Sequence, residues 1–147
     1  MISVIQRCSW GKVTVADKVV GEIEHGLVIL LGVQKDDTEK DADFLVNKIS
    51  GLRIFADEND KMNLSIKDVS GSALVISQFT LCGDTIKGRR PSFIHAAPPE
   101  EGNRLYEYFM SELEKEGVPV QSGEFGAMMA VELVNDGPVT FVLNSKD

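Results

Sequence analysis

Cysteine is scarce in this chain. Cys8 and Cys82 are the only two in 147 residues, too few for a disulfide framework and ordinary for a reducing cytosol. Long hydrophobic runs are missing as well: Leu27–Leu31, with Val33 after a glycine, falls far short of the roughly 20 residues that span a bilayer. No membrane partner is therefore expected. The opening stretch MISVIQRCSW lacks the long apolar segment of a signal peptide, because Gln6 and Arg7 interrupt it. Positive charge is in deficit, with 15 Lys and Arg against 23 Asp and Glu and a formal net charge of −8. That balance argues against binding along a nucleic-acid backbone, which needs cations to displace counterions. No Pro/Gly/Ser-rich linker and no internal repeat divides the sequence. Composition thus predicts one cytoplasmic domain spanning residues 1–147, large enough to bury roughly 70 % of its unfolded surface.

Common catalytic machineries are also absent. There is no G-x-S-x-G elbow, no H-E-x-x-H, no C-x-x-C, and no G-x-G-x-x-G after a strand. Gly83 to Gly88 has P-loop glycine spacing, but Arg89 and Arg90 stand where Lys and Ser/Thr are required. Asp57-Glu58-Asn59-Asp60 opens like a calcium loop, yet Met62 occupies the glycine position and Asp68 the glutamate position, so a polar turn is expected. The acidic run Asp36-Asp37-Thr38-Glu39 is explained by a first helical turn, where the dipole favours carboxylates, and no metal site is expected there. Only two histidines exist, His25 and His95, both at turns or loops; either could in principle serve a hydroxyl nucleophile if a partner oriented it, but ordinary surface histidines are expected.

Apolar patterning supplies the positive signal. Ile2–Ile5, Val13–Val15 and Val19–Ile23 read as strands, with a hairpin turn at Asp17-Lys18. Leu27–Leu31 reads as a strand buried on both faces. Phe44, Leu45, Ile49 and Leu52 fall at helical spacing, with Asp36 and Glu39 as the expected capping pair and Gly51 near the end. Arg53–Phe55 and Ala73–Ile76 are further strands. Pro98 and Pro99 start a helix over Glu100–Glu116 with Leu105, Phe109 and Leu113 on one stripe and Gly117 as its cap. Val118–Gln121, Met128–Val134 and Val139–Leu143 close the chain as strands. The expected class is α+β: a small β-barrel-like domain with two main helices packed outside.

Two segments carry chemistry. In Ser77-Gln78-Phe79-Thr80-Leu81 an apolar strand ends in two hydroxyls and a carboxamide, held by a rigid element where they can face a pocket. Asn135-Asp136-Gly137-Pro138-Val139-Thr140 has the composition of a turn between two strands. Lys87, Arg89 and Arg90 form the densest basic cluster of an acidic chain, next to Pro91-Ser92-Phe93.

With these two segments about 60 residues apart, the sequence resembles the D-aminoacyl-tRNA deacylases of the bacterial and eukaryotic type. Further matches run in order along the chain: Ile5-Gln6-Arg7, Gly21-Glu22-Ile23, Leu30–Val33, Arg53–Phe55, Lys61–Leu64, Arg90-Pro91-Ser92-Phe93 and Leu105–Phe109. The resemblance implies a hydrolase that cleaves the ester between a D-amino acid and the terminal adenosine of tRNA, and glycine mischarged on alanine tRNA, in chiral proofreading and translation quality control. It implies a deacylase-like fold, no cofactor, no metal, and a cytoplasmic homodimer with its sites at the subunit interface. Ser77, Gln78, Phe79 and Thr80 are then the catalytic residues. Gly137 and Pro138, joined by a cis bond, enter the partner's pocket and reject L-aminoacyl-tRNA. Arg7, Arg90, Pro91, Ser92, Phe93 and Asn135 are the expected contacts to the aminoacyl-tRNA 3′ end.

The reactive hydroxyl stays open between Thr80 and the vicinal 2′-hydroxyl of the RNA. The latter is preferred because no base beside Thr80 is visible. Two other readings compete: a non-catalytic dimeric barrel that binds RNA ends, and a threonine-dependent esterase acting on small esters.

Overall fold

The computed structural model describes residues 1–147. Strand β1 (Ile2–Val15) is the longest of the first half and organises the sheet. Its first half pairs antiparallel with β3 (Gly26–Gly32), and its second half with β2 (Lys18–Ile23). The two N-terminal strands expected from sequence are therefore one strand that changes partner. Glycine allows the change: a Cβ at Gly11 would lie 2.8 Å from a Val28 methyl. The β1–β2 turn sits at Ala16-Asp17, both at positive φ (48° and 65°), as a tight hairpin matched to strand twist demands.

Helix α1 (Glu39–Gly51) and α2 (Pro99–Lys115) act as crossovers. They make β6 (Ser72–Ser77) parallel to β3, and β7 (Val120–Ser122) parallel to β6. The sheet runs β2-β1-β3-β6-β7, and β8 (Ala130–Asn144) lies along the other edge of β1. A short hairpin, β4 (Phe55–Ala56) and β5 (Met62–Leu64), stands apart. The sheet curls until β2 meets β7 at Gly21, where a Cβ would come within 2.5 Å of the Ser122 carbonyl oxygen. A mixed, nearly closed barrel with two outer helices results, as the α+β expectation had it.

Alternation along β3 explains why its run is apolar throughout. Leu27, Ile29 and Leu31 face the core shared with Leu45 and Ile49 of α1 and Leu105, Phe109 and Leu113 of α2. Val28 points into the barrel with Cys8, Val13, Ile23, Leu74 and Ile76. Each such side chain contributes roughly 1.5–3 kcal/mol when fully buried.

The cap of α1 differs from the expected Asp36–Glu39 pair. Thr38 is the N-cap, and its backbone N–H is met by the Asp41 carboxylate at 2.9 Å in a reciprocal capping box. Asp37 is left to pair, through its carboxylate, with the buried Met1 ammonium at 2.9 Å. The acidic run is thereby spent on a helix start and an ion pair, and no group of three or more metal-ligating side chains assembles.

Candidate active site

Strand β6 delivers the first segment. Ser77 is its last residue, in register with Leu31, and Gln78 still donates its N–H to the Leu31 carbonyl at 2.8 Å. There the chain leaves the sheet for a short 3₁₀ helix, Phe79–Cys82, tied by Leu81 N–H to Gln78 O (3.2 Å) and Gly83 N–H to Thr80 O (3.0 Å). Gly32 lets β3 end directly beneath this turn, since a Cβ would lie 3.0–3.2 Å from Leu81, Gln78 and Cys82 atoms.

The turn forms one wall of a cleft of about 740 Å³, lined by Ser77, Gln78, Phe79 and Thr80 with Phe93, Ala96 and Ala97. Phe79 is 57 % exposed and packs edge-on against Phe93, ring centroids 5.0 Å apart. The opposite wall comes from the start of α2, Pro99 and Gly102, and from Phe125 to Met129. Phe125 leans on Tyr106, whose buried hydroxyl donates to the Val75 carbonyl at 2.9 Å. This second wall was not among the residues expected from sequence. Its only sequence signal is the apolar Phe125-Gly126-Ala127-Met128-Met129 run, with Met128 91 % exposed at the rim.

Inside the cleft the polar chemistry is spare. The Gln78 amide donates to the Thr80 hydroxyl oxygen at 2.5 Å, and neither histidine lines the space. His25 packs edge-on against Phe55. His95 faces the Asp84 carboxylate at 3.6 Å. Cys82 is buried, and desolvation pushes its thiol up, the reverse of what a nucleophile requires. Burial likewise pushes the Cys8 thiol to about 11.

The second segment proves to be something other than a reversal between two strands. Cys8 pairs with Asn135 and Gln6 with Thr140, so one residue of β1, Arg7, stands opposite four of β8. Asp136–Val139 loop out, and the strand then resumes on the same partner. The turn-forming composition bends the chain locally, but the register on both flanks belongs to β1. Asn135 closes the loop by accepting from the Val139 N–H (2.6 Å) and donating to the Thr140 hydroxyl (2.9 Å). Arg7 donates to the Asp136 carbonyl and to the Ile54 carbonyl, each at 2.8 Å. The Gly137–Pro138 peptide is cis, and Gly137 has a φ of 143°. A Cβ there would sit 2.6 Å from a Val139 methyl.

Of the residues expected at the site, the structure gathers Ser77, Gln78, Phe79, Thr80 and Phe93 around one cleft. Gly137 and Pro138 form a separate exposed projection, held by the half-buried Arg7 and Asn135, and none of the four lines the cleft. Arg90 and Pro91 are exposed in a hairpin whose base is the backbone pair Asp84–Ser92. On β1 and β8, Trp10, Val134, Phe141 and Val142 are exposed apolar residues.

Comparison with known proteins places this arrangement. The sequence model of the D-Tyr-tRNA(Tyr) deacylase family matches residues 4–144. The D-aminoacyl-tRNA deacylase of Thermotoga petrophila is 56 % identical over 145 residues, covering 99 % of this chain and 97 % of that one. The one from Koribacter versatilis is 56 % identical over 146 residues, covering 99 % and 98 %. Among solved structures, the c-Myc DNA Unwinding Element Binding Protein superposes with a TM-score of 0.92 at 38 % identity, covering 98 % of both chains. A probable eukaryotic D-amino acid tRNA deacylase shares the fold, with a TM-score of 0.83 at 19 % identity over 97 % of this chain and 98 % of that one. Fold, cleft and full-length similarity agree: this chain belongs to the D-Tyr-tRNA(Tyr) deacylase family.

Proposed function

We propose that this protein is a D-aminoacyl-tRNA deacylase whose residues 1–147 form one deacylase domain working in the cytoplasm as a homodimer. It hydrolyses the ester joining a D-amino acid to the terminal adenosine of tRNA, and that of glycine mischarged on alanine tRNA. Free amino acid and free tRNA result. The observation that carries the reading is the separation of Ser77–Thr80 from Gly137–Pro138 within one chain. A cleft complete on two walls and a rigid projection pointing elsewhere suit a twofold dimer, in which each projection enters the other subunit's cleft. The exposed apolar residues of β1 and β8 suit the surface such a pairing covers.

Backbone carbonyls of the Gly137–Pro138 projection would capture the amino group and leave no room for an L side chain. Selectivity by exclusion needs rigid atoms, and backbone fixed by Arg7 and Asn135 supplies them. Glycine passes because it has no side chain to clash.

In the cleft, backbone N–H groups around Phe79 and Thr80 face the developing oxyanion. Phe93 offers a stacking face to the terminal adenine. No base contacts the Thr80 hydroxyl, which instead receives a hydrogen bond from Gln78. Attack by water is therefore assigned to assistance from the RNA's own 2′-hydroxyl, and the 3′-oxygen leaves with the proton.

The test is to incubate the protein with D-tyrosyl-, L-tyrosyl- and glycyl-tRNA and follow ester loss. Release of the D-amino acid and of glycine with retention of the L ester is expected. Equal loss of both tyrosyl esters, or protection without release, overturns the reading.

A further inference from the structure

The hairpin closed by Asp84 and Ser92 concentrates positive charge beside the cleft of an acidic protein. The two residues exchange backbone hydrogen bonds of 2.7 and 2.9 Å. The Asp84 carboxylate is drawn inward, accepting from the Ile86 N–H at 2.9 Å and facing His95 at 3.6 Å. Gly88, at a φ of 70° and with open space where a Cβ would stand, turns the tip. Lys87, Arg89 and Arg90 all emerge exposed from that tip. None of the three forms an ion pair. Three unneutralised cations on a pinned loop, in a chain of net charge −8, are a local attractor for polyanion.

Position narrows the ligand. Phe93, one residue past the base of the hairpin, lines the cleft against Phe79. Arg89 lies four steps along the chain from Phe93 and Lys87 six, at most about 14 and 21 Å of extended chain. The cations therefore reach only phosphates close to whatever nucleotide occupies the cleft. Such phosphates belong to the unpaired 3′ strand, not to a duplex further away.

We propose that the Lys87–Arg90 tip is a phosphate clamp for the single-stranded 3′ end of tRNA, immediately upstream of the reacting nucleotide. This rests on the deacylase reading for the nucleotide in the cleft. The clamp contacts phosphates and no base edges, so it is sequence-tolerant. It gives an acidic protein a confined grip on RNA, enough to steer the 3′ end without holding the tRNA body.

The experiment compares the full-length protein with the Lys87→Ala/Arg89→Ala double variant. Fluorescence anisotropy follows binding of labelled, uncharged tRNA across a salt series, with intact tRNA and with tRNA trimmed of its unpaired 3′ nucleotides. For intact tRNA, the variant is expected to bind about tenfold more weakly at low salt. The slope of log affinity against log salt should fall by about 1.4, from roughly 0.7 per phosphate contact on a single strand. With trimmed tRNA, wild type and variant should bind alike. A difference that persists after trimming assigns the loop to the acceptor duplex and overturns the proposal, as does an unchanged slope on intact tRNA.

A second arm measures hydrolysis of D-tyrosyl-adenosine, which carries no upstream phosphate. The variant should match wild type within about twofold there, while losing about tenfold in kcat/KM on D-tyrosyl-tRNA. An equal loss on both substrates would make the loop a structural support of the cleft and sink the clamp. Failure of the wild type to release D-tyrosine from either substrate would refute the deacylase reading alone, because the binding arm decides the clamp without catalysis.

Discussion

Arg7 Nε donates to the carbonyl oxygen of Asp136 at 2.8 Å, across the gap where β8 leaves β1. A second donor of the same guanidinium holds the Ile54 carbonyl, also at 2.8 Å. One planar fork thus fixes the looped-out segment from below and ties it to the chain leading into β4. Hydrogen bonds from a charged donor are worth about 1.5–3 kcal/mol each. Arg7→Ala should loosen Gly137–Pro138 while leaving the barrel folded. The expected outcome is a loss of at least about tenfold in deacylation of the D ester, and a narrower gap between D- and L-tyrosyl-tRNA. Thermal unfolding should shift down by several degrees yet remain one cooperative transition. An unchanged ratio of the two rates would remove Arg7 from the positioning of the projection.

Gly137 combines a φ of 143° with a Cβ position already occupied by Val139. Gly137→Ala is expected to distort the projection at a cost of about 1–3 kcal/mol. Activity on D-tyrosyl-tRNA should fall sharply, although circular dichroism stays that of the native sheet. Gly51, with open space around its Cβ position, is the control: Gly51→Ala should leave both properties unchanged.

The Thr80 hydroxyl is engaged by Gln78 and lacks a base. Thr80→Ala should therefore retain deacylation within about tenfold, far from the collapse expected on removing a nucleophile. Replacing the terminal adenosine by its 2′-deoxy analogue should instead lower the rate by about a hundredfold or more. Single-turnover kinetics with both substrates settles the choice; the reverse pattern makes Thr80 the reactive group.

The Met1 ammonium and the Asp37 carboxylate are both fully buried and 2.9 Å apart. Gln34 and Ser145 complete the shell of the ammonium at 3.3 and 2.9 Å. Asp37→Asn leaves a buried charge unpaired and should destabilise the fold by about 3–5 kcal/mol in urea unfolding. The neighbouring exposed Asp36, changed to Asn, should stay within about 0.5 kcal/mol of wild type.

Asp41 supplies a pH dependence. Burial alone would raise its carboxyl. Hydrogen bonds from Lys146, the Thr38 N–H and Ser145 outweigh that and hold it well below the usual carboxylate range. A carboxyl depressed in the folded state binds fewer protons than in the unfolded chain. Its contribution to stability is then complete above about pH 5 and is lost as pH falls through the folded value. Urea midpoints between pH 6 and pH 3 should decline less steeply in Asp41→Asn than in wild type.

Much of the fold was legible because the signals were local. Leu27–Leu31 announced a strand buried twice over, and the stripe Leu105, Phe109, Leu113 announced a helix face. Pro99 and Gly117 marked the ends of that helix through backbone geometry alone. The first cap was misplaced, at Asp36 and Glu39 instead of Thr38 and Asp41, because several carboxylates in a row satisfy the same pattern. Only the buried Met1 ammonium shows which of them is already engaged.

Ser77–Thr80 was likewise readable, as polar groups ending an apolar strand. Asn135–Thr140 was read for its bending residues, and the bend is real. Its direction was invisible, since a reversal and a loop-out draw on the same Asn, Asp, Gly and Pro chemistry. Register decides between them, and register is a property of the partner strand. The wall from Phe125 to Met129 was missed for a related reason: apolar side chains next to glycine look alike whether they fill a core or line a cleft.

By itself, then, the sequence determined the element types, the two chemical segments and the acidic balance, each set by residues close together in the chain. Tertiary structure decided what those segments do with one another. It put Phe93 beside Phe79, and it placed Gly137–Pro138 on a projection outside the cleft of its own chain. It also left Lys87, Arg89 and Arg90 exposed and unpaired on the hairpin that leads to Phe93. Such relations depend on strand register and on the closure of the barrel through Gly21 and Ser122. Contacts between distant residues fix both, and no local pattern records them.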